Sequence, residues 1–217
     1  MPDYDARRVA MVDTQVRPSD VTRLPIISAM LAVPREDYVP AALREAAYIG
    51  ENLALSPDRT ILEPRSFAKM LEAADPGPGD LVLDLGCALG YSAAVIARMA
   101  DVVVAVEEDR AMAREAQATL SEHGVDNVAL EAGPIAAGAP QHGPYDLIMI
   151  EGAVQDIPPA ICDQLKEGGR IVALFMDGAL GSARIGYKVE GALSWRFLFN
   201  ASAPVMPGFE RAPAFEF

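Results

Sequence analysis

The sequence predicts an α/β fold: a doubly wound, mostly parallel sheet, preceded by an N-terminal helical cap and finished by an antiparallel C-terminal edge. Three observations carry this. From residue 81 onward, short apolar segments such as LVLDL and VVVAV alternate with stretches of helical period, the pattern of strands covered on both faces and joined by helical crossovers. Gly and Pro punctuate the joints, as in PGPG at 76–79 and Gly168-Gly169. Beyond residue 176, SARIGYKVEG and LSWRFLFNA read as two strands around a Gly-Ala connection.

Each element follows in order. DYDARRVAMVDTQV is helical up to Arg17-Pro18, and SDVTRLPIISAMLAV opens a second helix with Ser19 or Asp20 as its cap. PREDYVP turns the chain at its two prolines, and PAALREAAY predicts a third helix. Residues 48–64 have no clear period and predict a loop, which leads into a helix at RSFAKMLEAAD. Strands are expected at 81–85, 102–106, 128–131, 146–150 and 170–175, with helices at 92–100, 110–123 and 158–166. This divides the chain into a cap with its loop, residues 1–75, and a sheet unit with hairpin and tail, residues 76–217.

A length of 217 residues allows one sizeable core with an elaborated end. Half of the residues are hydrophobic, at 51%, yet charges interrupt every apolar stretch before the roughly 18 residues that would span a bilayer. The start, MPDYDARR, has no basic and apolar signal pattern. Cys87 and Cys162 stand far apart and form no C-x-x-C unit, so neither a disulfide framework nor a zinc or other metal site is expected. The expected setting is a reducing cytoplasm, without a membrane. A net charge of −13 opposes binding to nucleic acid, whose phosphates would be repelled over most of the surface.

In an open parallel sheet a ligand sits beyond the carboxyl ends of the strands, where the first strand turns into its helix. DLGCALGY, residues 84–91, occupies that corner. A dinucleotide fingerprint starting at Gly86 would need glycines where Ala88 and Tyr91 stand. A nucleoside triphosphate loop would need a lysine after Gly90, where Tyr91 stands instead. The spacing that remains is acidic-x-Gly-x-small-x-Gly: Asp84, Gly86, Ala88, Gly90.

This spacing resembles motif I of the class I S-adenosylmethionine-dependent methyltransferases, a Rossmann-like fold, with Ala88 at the usual middle glycine. The ligand there carries an ammonium and a sulfonium, so an acidic strand end is an asset, and Asp84 is expected near the amino-acid part. Gly90 is expected to face the cofactor, where a branched side chain would obstruct it. Glu107 ends the second strand and is expected to accept hydrogen bonds from the ribose hydroxyls.

The flanking segments are similar to the protein-L-isoaspartate O-methyltransferase family over most of the chain: VTRLPIISAMLAVPREDYVP, AAYIGENLAL, RTILEP, VVAVE, HGVDNVALEAG and GPYDLIMIEGAVQDIPPAICDQLKEGGRIV. The resemblance implies methyl transfer from S-adenosylmethionine to the α-carboxylate of an isoaspartyl residue in a damaged protein or peptide, followed by spontaneous succinimide closure and repair. A carboxylate is ionised at pH 7 and needs no general base. His123 and His142 are accordingly expected outside the catalytic machinery.

Two departures stand out. Where the family's substrate loop reads Gly-x-Gly-Gln-Thr-Ile-Ser, this chain has SPDRTIL: Thr60 and Ile61 persist, while Arg59 replaces glutamine and Leu62 replaces the serine. Thr60 and Arg59 are the catalytic-site candidates, with Arg59 or Arg65 able to bind an acceptor carboxylate through its planar fork. The family's Gly-Asp-Gly appears as Gly133, Pro134 and Ile135, so the aspartate expected at the adenine amino group is absent, and Gly133 and Ile135 remain as cofactor-side candidates. Two alternatives stay open: a different methyl acceptor, such as another carboxylate, or a non-catalytic S-adenosylmethionine-binding protein.

Overall fold

A computed structural model describes residues 3–211. The chain opens with α1 (Tyr4–Met11), capped by the Asp3 carboxylate on the Ala6 N–H, and continues through a wider π turn at Val12–Val16 and a 3-10 turn at Arg17–Ser19. Helix α2 (Leu24–Ala32) carries Pro25 in its first turn, where a missing N–H costs nothing. The third expected helix, residues 40–48, forms only a 3-10 turn at Ala41–Ala46, and another 3-10 turn, Arg35–Asp37, falls in the expected turn before it.

The expected loop at 48–64 is corrected to a small hairpin, β1 (Leu53–Ser56) against antiparallel β2 (Arg59–Ile61). Its strands are three and four residues long, too short to show a period against the surrounding polar residues. Asn52 clasps the base, accepting from the Glu63 N–H at 2.8 Å and donating to the Ser202 carbonyl at 2.8 Å. Helix α3 (Pro64–Ala74) follows and ends on Asp75 in the left-handed region.

The sheet unit then runs β3 (Leu81–Leu85), α4 (Tyr91–Ile96), β4 (Val102–Glu107), α5 (Arg110–Glu122), β5 (Val128–Ala132), β6 (Tyr145–Val154), α6 (Pro159–Asp163), β7 (Leu165–Asp177), β8 (Leu180–Val189) and β9 (Ala192–Asn200). The seven strands are ordered β5-β4-β3-β6-β7-β8-β9, the first five parallel and the last two antiparallel. The doubly wound sheet and its antiparallel edge are as the sequence predicts. Helices α4 and α6 are shorter than expected, because 97–100 and 164–166 leave the helix for turns and for the start of β7.

Strand residues alternate between two cores, as period-two geometry requires. Val82, Val103, Ala105, Leu147 and Met149 face the N-terminal segments, in one cluster with Met11, Val16, Ile26, Met30, Phe67 and Leu71. Leu83, Leu85, Val104, Val106, Ile148 and Ile150 face the other side, with Ile161, Met206 and Phe209. The N-terminal segments therefore share their hydrophobic core with one face of the sheet. The tail returns across the sheet, where Val205 bridges Ala153 and the Phe209 carbonyl accepts from the N–H groups of Gln155 and Asp156. Residues 212–217 of the tail lie outside the described residues.

Candidate functional site

The same alternation builds the site. Asp84, Glu107 and Glu151 continue the parity of Val82, Ala105 and Met149, so all three carboxylates fall on the side of the N-terminal segments. Leu85 pairs with Val106 on one neighbour and Ile150 on the other, which puts Gly86 level with Glu107 and Glu151. All three carboxylates are buried.

The glycine loop is wound in the left-handed region, with φ of +83° at Gly86, +51° at Ala88 and +92° at Gly90. Ala88 adopts this conformation at a modest steric cost. The Ala88 N–H donates to Glu107 at 2.8 Å and the Asp109 N–H donates to the other Glu107 oxygen at 3.0 Å. A Cβ on Gly86 would stand 2.9 Å from both Arg59 Nη1 and Met206 Sδ. Gly86 is thus bare towards the groove. Gly90 is not: its Cβ would point at Ala116 and Leu120 of α5, 3.3 and 3.5 Å away. This corrects the expectation that Gly90 faces the ligand.

Arg59 sits elsewhere than the sequence suggests. Its guanidinium is buried and paired with the fully buried Glu107 carboxylate, with Nη1 3.0 Å from Met206 Sδ. Asp84 accepts from the Ser92 hydroxyl at 2.7 Å, and its Oδ1 accepts nothing from the protein. Burial pushes the Asp84 carboxyl up to about 7; the Ser92 hydrogen bond opposes this, Glu107 adds to it and the Arg59 charge opposes it. Burial, reinforced by Asp84, raises Glu151 well above the usual carboxylate range. On the cap side Arg35 is fully buried, donating to the Ala47 and Leu62 carbonyls at 2.7 and 2.8 Å with its guanidinium 4.6 Å from the Tyr91 ring centre.

Two spaces lie at this end of the sheet. A cavity of about 10 Å³, room for about one water molecule, is lined by Arg35, Thr60, Leu62, Gly86, Ser92 and Glu151 among others. An open cleft of about 320 Å³ lies between Ser56, Asp58, Arg59 and Pro207 on one side and Glu107, Glu108, Asp109 and Met112 on the other.

The profile of the protein-L-isoaspartate(D-aspartate) O-methyltransferase family matches residues 7–178 of this chain. The chain belongs to this family. It is similar to the protein-L-isoaspartate O-methyltransferases of Methylorubrum extorquens, 40% identical over 172 residues covering 79% of this chain and 75% of that protein, and of Koribacter versatilis, 36% identical over 165 residues covering 76% and 74%. Its fold is similar to a solved protein-L-isoaspartate O-methyltransferase with a TM-score of 0.79 at 25% identity, over 94% of this chain and 66% of that one.

As a member of the protein-L-isoaspartate O-methyltransferase family, the chain is an S-adenosylmethionine-dependent methyltransferase, and the family's substrates are isoaspartyl proteins and peptides. The comparisons favour this reading over a changed acceptor or a non-catalytic protein. No helix among the described residues is long and apolar enough to cross a membrane.

The structure brings Asp84, Gly86, Ala88, Glu107, Arg59 and Thr60 together and leaves other candidates apart. Thr60 is buried with its hydroxyl donating to the Leu53 carbonyl at 3.0 Å, inside its own hairpin. Gly133 extends β5 beside Glu107, its N–H donating to the Glu107 carbonyl at 3.0 Å. Ile135 is fully buried in the core beneath the sheet. Arg65 is 44% exposed and its guanidinium lies 5.8 Å from the Phe199 ring centre. His123 caps α5 and meets Asp37 at 3.2 Å, and His142 meets Glu131 at 2.8 Å, both outside the site. Sequence reasoning missed Glu151 and Met206. The parity of β6 marks Glu151, whereas Met206 carries no signal because only the return of the tail places it.

Proposed function

We propose that this chain methylates the α-carboxylate of isoaspartyl residues in damaged proteins or peptides, with S-adenosylmethionine held at the ends of β3 and β4. The observation that carries this is the left-handed loop at 86–90, tied to the buried Glu107 by the Ala88 N–H. Its residues suit the cofactor: Gly86 offers bare backbone, Asp84 Oδ1 is a buried acceptor without a protein partner, and the cleft beside Glu107 has room for a nucleoside portion. Ala88, Gly90 and Gly133 shape the loop ends around it, and Ile135 supports them from below.

S-adenosylmethionine supplies a methyl carbon made electrophilic by its sulfonium. The acceptor carboxylate is already ionised at pH 7, so the protein's task is to align it and exclude water. Thr60 and Leu62 line the small cavity beside Gly86, on the side where the acceptor would approach. Two cysteines without disulfide partners, Cys87 and Cys162, suit a reducing compartment, and we place the protein in the cytoplasm.

Radiolabelled methyl transfer to an isoaspartyl peptide and its aspartyl counterpart tests the assignment. Label is expected on the isoaspartyl peptide alone; equal labelling, or none, overturns it. Asp84 supplies a second check. Its ionised form is the one that holds an ammonium group, and burial puts its pKa at about 7. Affinity for S-adenosylhomocysteine is therefore expected to rise about tenfold between pH 6 and pH 8, following the ionised fraction of one carboxyl. Calorimetry at the two pH values measures this, and Asp84→Asn should flatten it. A flat wild-type profile would count against Asp84 as the ammonium partner.

A further inference from the structure

Arg59 stands where the ligand's contacts are expected. Its guanidinium covers the bare face of Gly86 and donates to Glu107, whose two oxygens already face the Ala88 and Asp109 N–H groups. A ribose diol held by Glu107 and the Arg59 fork would contend for the same carboxylate. Arg59 lines the open cleft with Glu107, and its Nη1 stands 2.9 Å from where a Cβ on Gly86, a residue of the small cavity's wall, would lie. Its withdrawal would open the cleft towards the groove at Gly86.

Charge points the same way. Asp84, Glu107 and Glu151 gather three buried carboxyl groups at adjacent strand ends, and Arg59 brings a buried cation to Glu107 among them. A sulfonium or ammonium entering the groove would supply the same sign in its place. Arg59 is also on a part of the chain that can yield. The hairpin is a separate two-stranded sheet, its register breaks between Ala54 and Ser56, and its tip at Asp58 is exposed while Asn52 holds its base.

A cation is needed afterwards as well. The acceptor is a carboxylate, and Leu62 offers it no hydroxyl. Arg35 is fully buried, its Nε and Nη2 held by the Ala47 and Leu62 carbonyls and its Nη1 without a partner among the described residues, while Arg65 lies against Phe199. Arg59 is the cation that entry of the cofactor would set free, on the strand whose next residue, Thr60, lines the cavity.

We propose that Arg59 is a latch that orders the reaction: S-adenosylmethionine displaces its guanidinium from Glu107, and the released fork then binds the acceptor carboxylate, so that cofactor binding precedes and strengthens acceptor binding. This rests on the methyltransferase reading above. Because binding free energies are reciprocal, each ligand must then tighten the other.

Calorimetry on the full chain tests it, with S-adenosylhomocysteine and an isoaspartyl peptide, each alone and in the presence of the other. The wild type is expected to bind the peptide at least tenfold more tightly when S-adenosylhomocysteine is present. In Arg59→Gln, S-adenosylhomocysteine alone should bind about tenfold more tightly than in the wild type, and the coupling between the ligands should vanish. Unchanged or weaker S-adenosylhomocysteine binding by Arg59→Gln, or coupling that survives in it, overturns the latch while leaving the methyltransferase reading intact. Failure of both proteins to bind S-adenosylhomocysteine overturns that reading and the latch with it. Should Arg59→Gln not fold, Arg59→Lys decides: a point charge without the fork should tighten S-adenosylhomocysteine binding several-fold, and no change refutes the proposal.

Discussion

Glu107→Ala is expected to lower stability by about 3–5 kcal/mol, the cost of leaving a buried charge without its partner. The Arg59 guanidinium would stay covered by Met206 and Gly86 with nothing to neutralise it, and the Ala88 and Asp109 N–H groups would lose their acceptor. For a domain whose whole stability is about 5–15 kcal/mol, this is a large share. Urea midpoints measure it. The double substitution Arg59→Met with Glu107→Leu should recover most of the loss, because apolar pairs commonly replace buried ion pairs without penalty. A cost below about 1 kcal/mol for Glu107→Ala would show that Arg59 swings into water when its partner is gone, since an exposed charge has no such penalty. In either case S-adenosylhomocysteine binding should weaken, as the acceptor for the ribose hydroxyls is removed.

Arg35→Ala is expected to be comparably severe, at about 3–5 kcal/mol. The side chain is fully buried and holds two carbonyls, of Ala47 and Leu62, that no other side chain among the described residues reaches with a hydrogen bond. Its removal also leaves a hole above the Tyr91 ring. The Leu62 carbonyl follows directly on β2, so losing this anchor should loosen the hairpin that carries Arg59. Urea denaturation gives the stability change, and hydrogen exchange over residues 47–62 should rise in the variant. A loss under about 1 kcal/mol, with unchanged exchange, would mean that the Arg35 contacts are dispensable.

Elements that are long or strictly patterned were legible in the sequence. The apolar runs of β3, β4 and β6, the helical period of α5, and the strand patterns of β8 and β9 all declare themselves within a window of a few residues. The placement of Asp84, Gly86 and Glu107 at adjacent strand ends could be read because motif spacing and strand ends are local features. The position of Arg59 could not. Its partner lies 48 residues away in sequence and its sulfur contact 147 residues away, and no local pattern distinguishes an arginine that folds inwards from one that faces solvent. The hairpin was hidden by its brevity. Gly90 was misread because a positive φ reverses where a side chain would point, which the spacing of a motif does not reveal.

The Met206 contact bears on how the protein is made. Its side chain fills the space that Cβ atoms on Gly86 and Gly152 would claim, and Phe209 closes over the 155–156 backbone behind it. A chain leaving the ribosome presents its glycine loop long before residues 206–209 emerge to wall it. The groove thus takes its final shape only after residues 206–209 have been synthesised, and tight nucleoside binding waits on the return of that segment.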